Sequence, residues 1–133
     1  MRIALPPPAY MRALCLIAFL AVIVQLFLLP VPPALRAASI WDKVQHAMAF
    51  GSFAALLWFG IGFRAPFLNW LGITVLGALD EFHQVFIPTR TADVMDVVAD
   101  AVGAAIVTFV LHRLAAAPAR EIVLEEPLVE TGD

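Results

Sequence analysis

The sequence predicts an all-α integral membrane protein: a bundle of four transmembrane helices in up-and-down order, with both termini in the cytoplasm. Two observations carry that prediction. The 133-residue chain is 62% hydrophobic and only 14% charged, with a mean hydropathy of +0.92, which is more apolar surface than a soluble domain of this size can bury. Its apolar residues also fall into four windows of about 20 residues, the length that crosses a hydrocarbon core roughly 30 Å thick. Because the backbone must satisfy its own hydrogen bonds in lipid, each window is expected to be a helix.

The first window covers about residues 11–29, "MRALCLIAFLAVIVQLFLL". Its apolar run is longer than the core of a signal peptide, and Leu35 or Arg36 stands where a cleavage site needs a small residue, so it reads as a retained helix. Cys15, the single cysteine, lies inside it, which excludes a disulfide framework or a cysteine metal site. The proline-rich "PVPPALRAAS" ends this helix, and the second covers residues 41–63. In "RAP", Pro66 suits the first turn of a third helix over residues 66–86, and "IPTRT" connects that helix to a fourth over residues 93–114. Residues 1–114 therefore form the bundle, and residues 115–133, with five of the eleven acids, read as an acidic flexible tail.

Four spans put both ends on one side. That side carries Arg2, Arg12, Arg64, Arg113 and Arg120, against Arg36, Lys43 and Arg90 on the other, and the positive-inside bias makes the first side cytoplasmic. The predicted location is the bacterial cytoplasmic (inner) membrane, as a multi-pass protein.

Nearly all the chemistry falls at the opposite face. Helix two begins there with Asp42, Lys43, Gln45 and His46, helix three ends there with Asp80, Glu81, His83 and Gln84, and helix four begins there with Asp93, Asp96 and Asp100; Arg90 lies in the link between the last two. Asp93, Asp96 and Asp100 follow an i, i+3, i+7 spacing, Asp80, His83 and Gln84 an i, i+3, i+4 spacing, and Asp42 and His46 an i, i+4 spacing, so each set forms a stripe that can face the bundle axis. Asp100 lies about 10 Å beyond Asp93 along its helix, below the headgroup level, where an acid must be paired, hydrated or protonated.

Plainer readings compete with a functional one. Asp93 and Asp96 suit the positive end of a helix, with Thr91 as the cap, but that account does not reach Asp100. His46 and His83 can be interfacial histidines bonded to neighbours, and Arg90 can face headgroups; set between two acidic stripes, Arg90 reads better as a bridge between them or an anion ligand. His112, at the far end of helix four without acidic company, reads as structural, and Trp41, Phe50, Phe53, Trp58 and Trp70 read as core or interface aromatics.

At "DKVQHAMAF" and again at "DEFHQVFIPTRTADVMDVVADAVGA" the chain resembles the VanZ-like family of bacterial membrane proteins. The matching residues are Lys43, His46 and Phe50, then Asp80, Glu81, Gln84 and Phe86, then Arg90, then Asp96 and Gly103, within about residues 40–110. The resemblance implies a cell-envelope setting and a family-level association with teicoplanin resistance, but no defined reaction. Asp100 stands where the family commonly has Asn, and Val107 where a second small residue is common.

Three functions fit. The first is a site at the extracytoplasmic face that binds an envelope-related ligand such as a lipid-linked phosphate, a peptidoglycan precursor or a glycopeptide. Its candidate residues are Lys43, His46, Asp80, Glu81, His83, Gln84, Arg90, Asp93, Asp96 and Asp100. The excess of acids suggests a divalent cation as cofactor, with Asp80, Glu81 and Asp96 as its candidate ligands. The second is a membrane enzyme acting on a lipid phosphate with His46 or His83 as acid or base, although no known catalytic spacing is present. The third is a purely structural or ion-relay network. The expected partners are the lipid bilayer, such an envelope lipid or glycopeptide, and, for a transport role, further copies of the chain. The chain lacks the density of basic residues that binding nucleic acid requires.

Overall fold

A computed structural model describes residues 7–28, 40–62, 65–87 and 90–116. The proline-rich link after the first helix, Arg36, Arg64, part of "IPTRT" and the acidic tail lie outside the described residues. All secondary structure among the described residues is helical: α1 (Ala9–Leu28), α2 (Ile40–Gly60), α3 (Pro66–Gln84) and α4 (Val94–Ala116). Each helix coincides with one of the four apolar windows to within three residues at either end.

Local chemistry sets the boundaries. Beyond α2 the chain turns at Gly62, whose φ of 75° is open to a residue without a Cβ, and Gly62 N–H donates to the Phe59 carbonyl at 3.3 Å. Pro66 occupies the first turn of α3, where its missing N–H costs nothing. At the start of α4 the cap is Asp93, not Thr91: Asp93 Oδ1 accepts the Met95 N–H at 2.9 Å, because Asp93 directly precedes the first helical residue and Thr91 lies too far back to reach.

The contacts fix the directions. Lys43 meets Asp96, His46 meets Asp100 and Gly51 lies against Val107, so α2 and α4 run parallel. Asn69 reaches Thr108 while Glu81 reaches Asp93, so α3 runs antiparallel to α4. Arg12 Nε donates to the Gly60 carbonyl at 3.2 Å, joining the start of α1 to the end of α2.

Between α2 and α4 the backbones touch. A Cβ on Gly103 would lie 2.0 Å from the Ala47 carbonyl oxygen, and one on Gly51 would lie 3.2 Å from the Gly103 carbonyl, so small residues let the helices approach as they do in membrane bundles. Above this contact sits a small apolar core of Phe50, Ala54, Ile73 and Ala104, flanked by Phe53, Trp70, Phe19 and Leu26. Trp58 is also buried, edge-on to His112 with ring centroids 6.2 Å apart, whereas Trp41 is exposed.

The distribution of polarity is unusual for a chain in water. The buried residues include Asn69, Asp80, Glu81, Gln84, Asp96, Asp100 and Thr108, while large apolar side chains such as Leu14, Ile17, Phe67, Phe82, Val102, Ile106 and Phe109 face outward. Two of the helices, Ala9–Leu28 and Val94–Ala116, are long and apolar enough to cross a membrane.

Adding one methyl group to Gly103 should separate α2 from α4. Gly103→Ala is expected to lower stability in detergent by about 1–3 kcal/mol, as overpacking does. Gly72→Ala, where a Cβ would meet nothing within 4 Å, should cost nothing. Thermal unfolding of both variants beside wild type checks the contrast.

Candidate functional site

Parallel packing of α2 on α4 brings four polar side chains of these two helices together at one end of the bundle. Lys43 Nζ binds Asp93 Oδ2 and Asp96 Oδ1. One turn deeper, His46 Nδ1 lies 2.9 Å from Asp100 Oδ1, and His46 Nε2 lies 3.9 Å from Asp96 Oδ2. Asp100 is fully buried (0% exposed) and Asp96 nearly so (3%). A carboxylate can only accept, so Asp100 orients the imidazole with an Nδ1–H toward itself and leaves Nε2 turned toward Asp96.

Room for Asp100 comes from α3. A Cβ on Gly77 would lie 2.6 Å from Asp100 Oδ2, so a glycine at this position lets the acid pack flush against the facing helix.

The end of α3 forms a second layer centred on an amide. Gln84 Nε2 donates to Asp80 Oδ2 at 2.9 Å and to Glu81 Oε1 at 2.8 Å, while Gln84 Oε1 accepts from Arg90 Nε at 3.1 Å. Glu81 Oε2 accepts the Asp93 N–H at 2.8 Å. One glutamine therefore links two buried acids to the loop arginine, and Glu81 ties the same loop to the start of α4. Buried carboxylates are tolerable only when bonded in this way.

The stripes differ in one respect from those read off the sequence. On α3 the buried polar positions near the end are Asp80, Glu81 and Gln84, whereas His83 is half-buried and packs on the Phe27 ring of α1, with centroids 5.3 Å apart. Phe27 supplies the reason: α1 covers that flank of α3 with an aromatic ring. Bridging of the acids on α4 falls to Lys43, and Arg90 instead donates to Gln84.

A cavity of about 330 Å³ opens between α1, α2 and the end of α3. One end is polar, lined by Gln25, Asp42, Gln45, His46, Asp80 and Arg90; the other is walled by Leu26, Ala49, Phe50 and Phe53. The sequence gives no sign that Gln25 of α1 belongs with this group, because only the packing of α1 places it there.

For a metal ion, the donor group that comes together among the described residues is Asp42, His46 and Asp96, with one ligand atom from each within 4.8 Å of the others. Of the cation candidates Asp80, Glu81 and Asp96, only Asp96 belongs to this group; the other two carboxylates are occupied by Gln84 and the loop.

Asn69 is a further buried polar residue that the sequence reading passed over. Its Nδ2 donates to the Ala54 carbonyl at 3.1 Å and to Thr108 Oγ1 at 2.9 Å, joining three helices far from the acidic end. An asparagine inside an apolar window was the available signal.

The VanZ/LLP1 family model matches residues 13–115. The chain belongs to the VanZ/LLP1 family. Comparison with curated proteins and with solved structures gives no match. The match takes in α1 beyond Arg12 as well as α2, α3 and α4, so this VanZ-family chain carries the family region and the polar cluster in one bundle.

Lys43 balances two acids, one of them buried, and its loss should be costly. Lys43→Met is expected to lower the melting temperature by leaving Asp96 uncompensated, and Asp96→Asn in that background should recover part of the loss. A double-mutant cycle by thermal unfolding in detergent reads this coupling. The Lys43 ammonium and the Met95 N–H also hold the Asp93 carboxyl below its ordinary value of 3.8. The pair's contribution is therefore full above pH 3.8 and is lost only as pH falls through the lowered value, so stability should stay level from pH 7 to 5 as far as this pair is concerned.

Proposed function

We propose that this VanZ-family protein spans the bacterial cytoplasmic membrane four times, with both termini in the cytoplasm, and binds the headgroup of a lipid-linked phosphate at its extracytoplasmic face. The inverted polarity of the bundle supports the membrane setting: buried acids and amides sit inside a surface of large apolar side chains, the arrangement expected where lipid is the solvent. Arg12 and Arg113 lie at the end away from the acidic cluster, and with Arg2, Arg64 and Arg120 they outnumber Arg36, Lys43 and Arg90, which supports the orientation.

The observation that carries the ligand class is the two-ended cavity. Arg90 at the polar end suits phosphate oxygens, while Asp42, Asp80, Gln25 and Gln45 are acceptors for hydroxyl or amine groups. Phe50, Phe53 and Leu26 form an apolar wall for the start of a lipid chain. Acids beside the arginine disfavour a bare anion and favour a headgroup that also carries hydrogen-bond donors, as lipid-linked sugars and peptidoglycan precursors do. The cavity is about the smallest size that encloses a ligand, so it holds a headgroup and leaves the chain to the bilayer.

A second reading has its own observation. The Asp100–His46 pair, with Nε2 directed away from the buried acid, is also the arrangement of an oriented general base, and a hydrolytic enzyme would use it on the same phosphate.

Binding of undecaprenyl phosphate to the purified protein in nanodiscs tests the main reading, with undecaprenol and inorganic phosphate as controls. Saturable binding of the lipid phosphate, at least tenfold weaker for Arg90→Ala and absent for both controls, is the expected result. Equal binding of undecaprenol would show that only the chain is recognised and would sink the headgroup claim. Release of inorganic phosphate that stops in His46→Gln would favour the enzyme.

A further inference from the structure

We propose that Asp42, His46 and Asp96 form a site for a divalent transition-metal ion, zinc being the best match, with Asp100 as the residue that positions the imidazole. The proposal stands on geometry independent of the lipid reading and rests on that reading only for what the open metal position would bind.

The donor set comes first. One ligand atom from each of the three residues lies within 4.8 Å of the others, on two helices held in register by the Gly103 contact. Atoms bound to zinc at about 2.0–2.1 Å in a tetrahedron sit about 3.4 Å apart, and the His46 Nε2 to Asp96 Oδ2 separation is 3.9 Å. Small rotations of the Asp42 and Asp96 side chains close the difference. An imidazole with two carboxylates is a borderline set that suits zinc and its neighbours better than the all-oxygen shells of magnesium or calcium.

How His46 is held is a separate observation. Its Nδ1 is taken by a fully buried aspartate on another helix, which leaves Nε2, on the side of Asp96, as the nitrogen open to a metal ion. A carboxylate behind a histidine, fixing tautomer and ring orientation, is the support that metal-bound histidines ordinarily have. Among the described residues His46 is the one hydrogen-bond partner of Asp100, whose other oxygen is buried without one in the space made by Gly77.

Charge gives a third line. Asp42, Asp80, Glu81, Asp93, Asp96 and Asp100 stand around one end of the bundle, and among the described residues the permanent cations beside them are Lys43 and Arg90. Lys43 is shared between Asp93 and Asp96 Oδ1, and Arg90 donates to Gln84. Asp96 thus gives one oxygen to Lys43 and turns the other to His46, while Asp42 bonds to neither cation. A divalent ion at Asp42, His46 and Asp96 would offset the excess where it is least screened. Three protein ligands leave a coordination position, and because Asp42 and His46 also line the cavity, that position opens toward it. A phosphate oxygen entering the cavity would find the ion there.

The experiment uses the full-length protein in detergent, purified on a tag without histidine and stripped of metal, and titrates it with zinc alone in the absence of any lipid phosphate. Calorimetry should show one equivalent of zinc bound, and cobalt(II) in its place should give the intense visible bands of a low-coordinate site. Asp42→Asn, which keeps the Lys43 and Asp100 contacts, should weaken zinc at least tenfold with the melting temperature of the metal-free protein unchanged. Asp100→Asn should weaken it about 10–100-fold and alter the cobalt spectrum, because the imidazole loses its fixed orientation. Absence of stoichiometric zinc binding, or binding that is the same in wild type and Asp42→Asn, would overturn the proposal. Zinc binding with no binding of undecaprenyl phosphate would overturn only the lipid reading, and the reverse would overturn only the metal site.

Discussion

The close approach of α2 and α4 at Gly103 is the constraint on which the rest of this bundle depends. With the Ala47 carbonyl almost touching the Gly103 backbone, the two parallel helices are locked in a single register. That register sets Lys43 beside Asp96 and His46 beside Asp100. A slip of one residue would turn each side chain about 100° around its helix and disperse the pairs. Backbone contact of this kind is also what holds helices together where lipid removes the hydrophobic drive between them.

Polar burial then becomes comprehensible. Seven of the buried side chains are polar or charged, and most are bonded across helices: Asn69 to α2 and α4, Thr108 to α3, Glu81 to the start of α4, Asp96 and Asp100 to α2. In a medium without water an unpaired group of this sort is expensive, so the network specifies one arrangement of helices more sharply than the small apolar core does. The ends of the bundle differ in kind. At one end Asn69 and Thr108 make neutral bonds; at the other, acids outnumber their cations around a cavity with an apolar wall.

A hierarchy follows within the acidic end. Glu81, Gln84 and Arg90 act through one another to hold the loop against α4. His46 and Asp42 face the cavity, and Asp100 supports His46 from behind. Asp96 is shared between the two roles, with one oxygen on Lys43 and the other toward His46.

The four helices, their limits to within three residues, the family and the gathering of polar residues at one end were all legible in the sequence. Hydropathy, proline placement and helical spacing are local properties, and they act before any helix meets another. Which acid bonds to which base was not legible. Spacing alone set His83 with Asp80 and Gln84 on the inner face of α3, whereas with Phe27 of α1 against His83 it is Glu81 that is buried beside them. It left Arg90 as the natural bridge between acids, until Lys43 proved to lie in register with both Asp93 and Asp96. Gln25, Asp42 and the cavity they share depend on how α1 leans on α2, and that is settled by side-chain packing between helices distant in the chain. Periodicity gives each helix its faces; only the tertiary structure decides which faces meet, because the choice turns on contacts as local as one missing methyl group at Gly103.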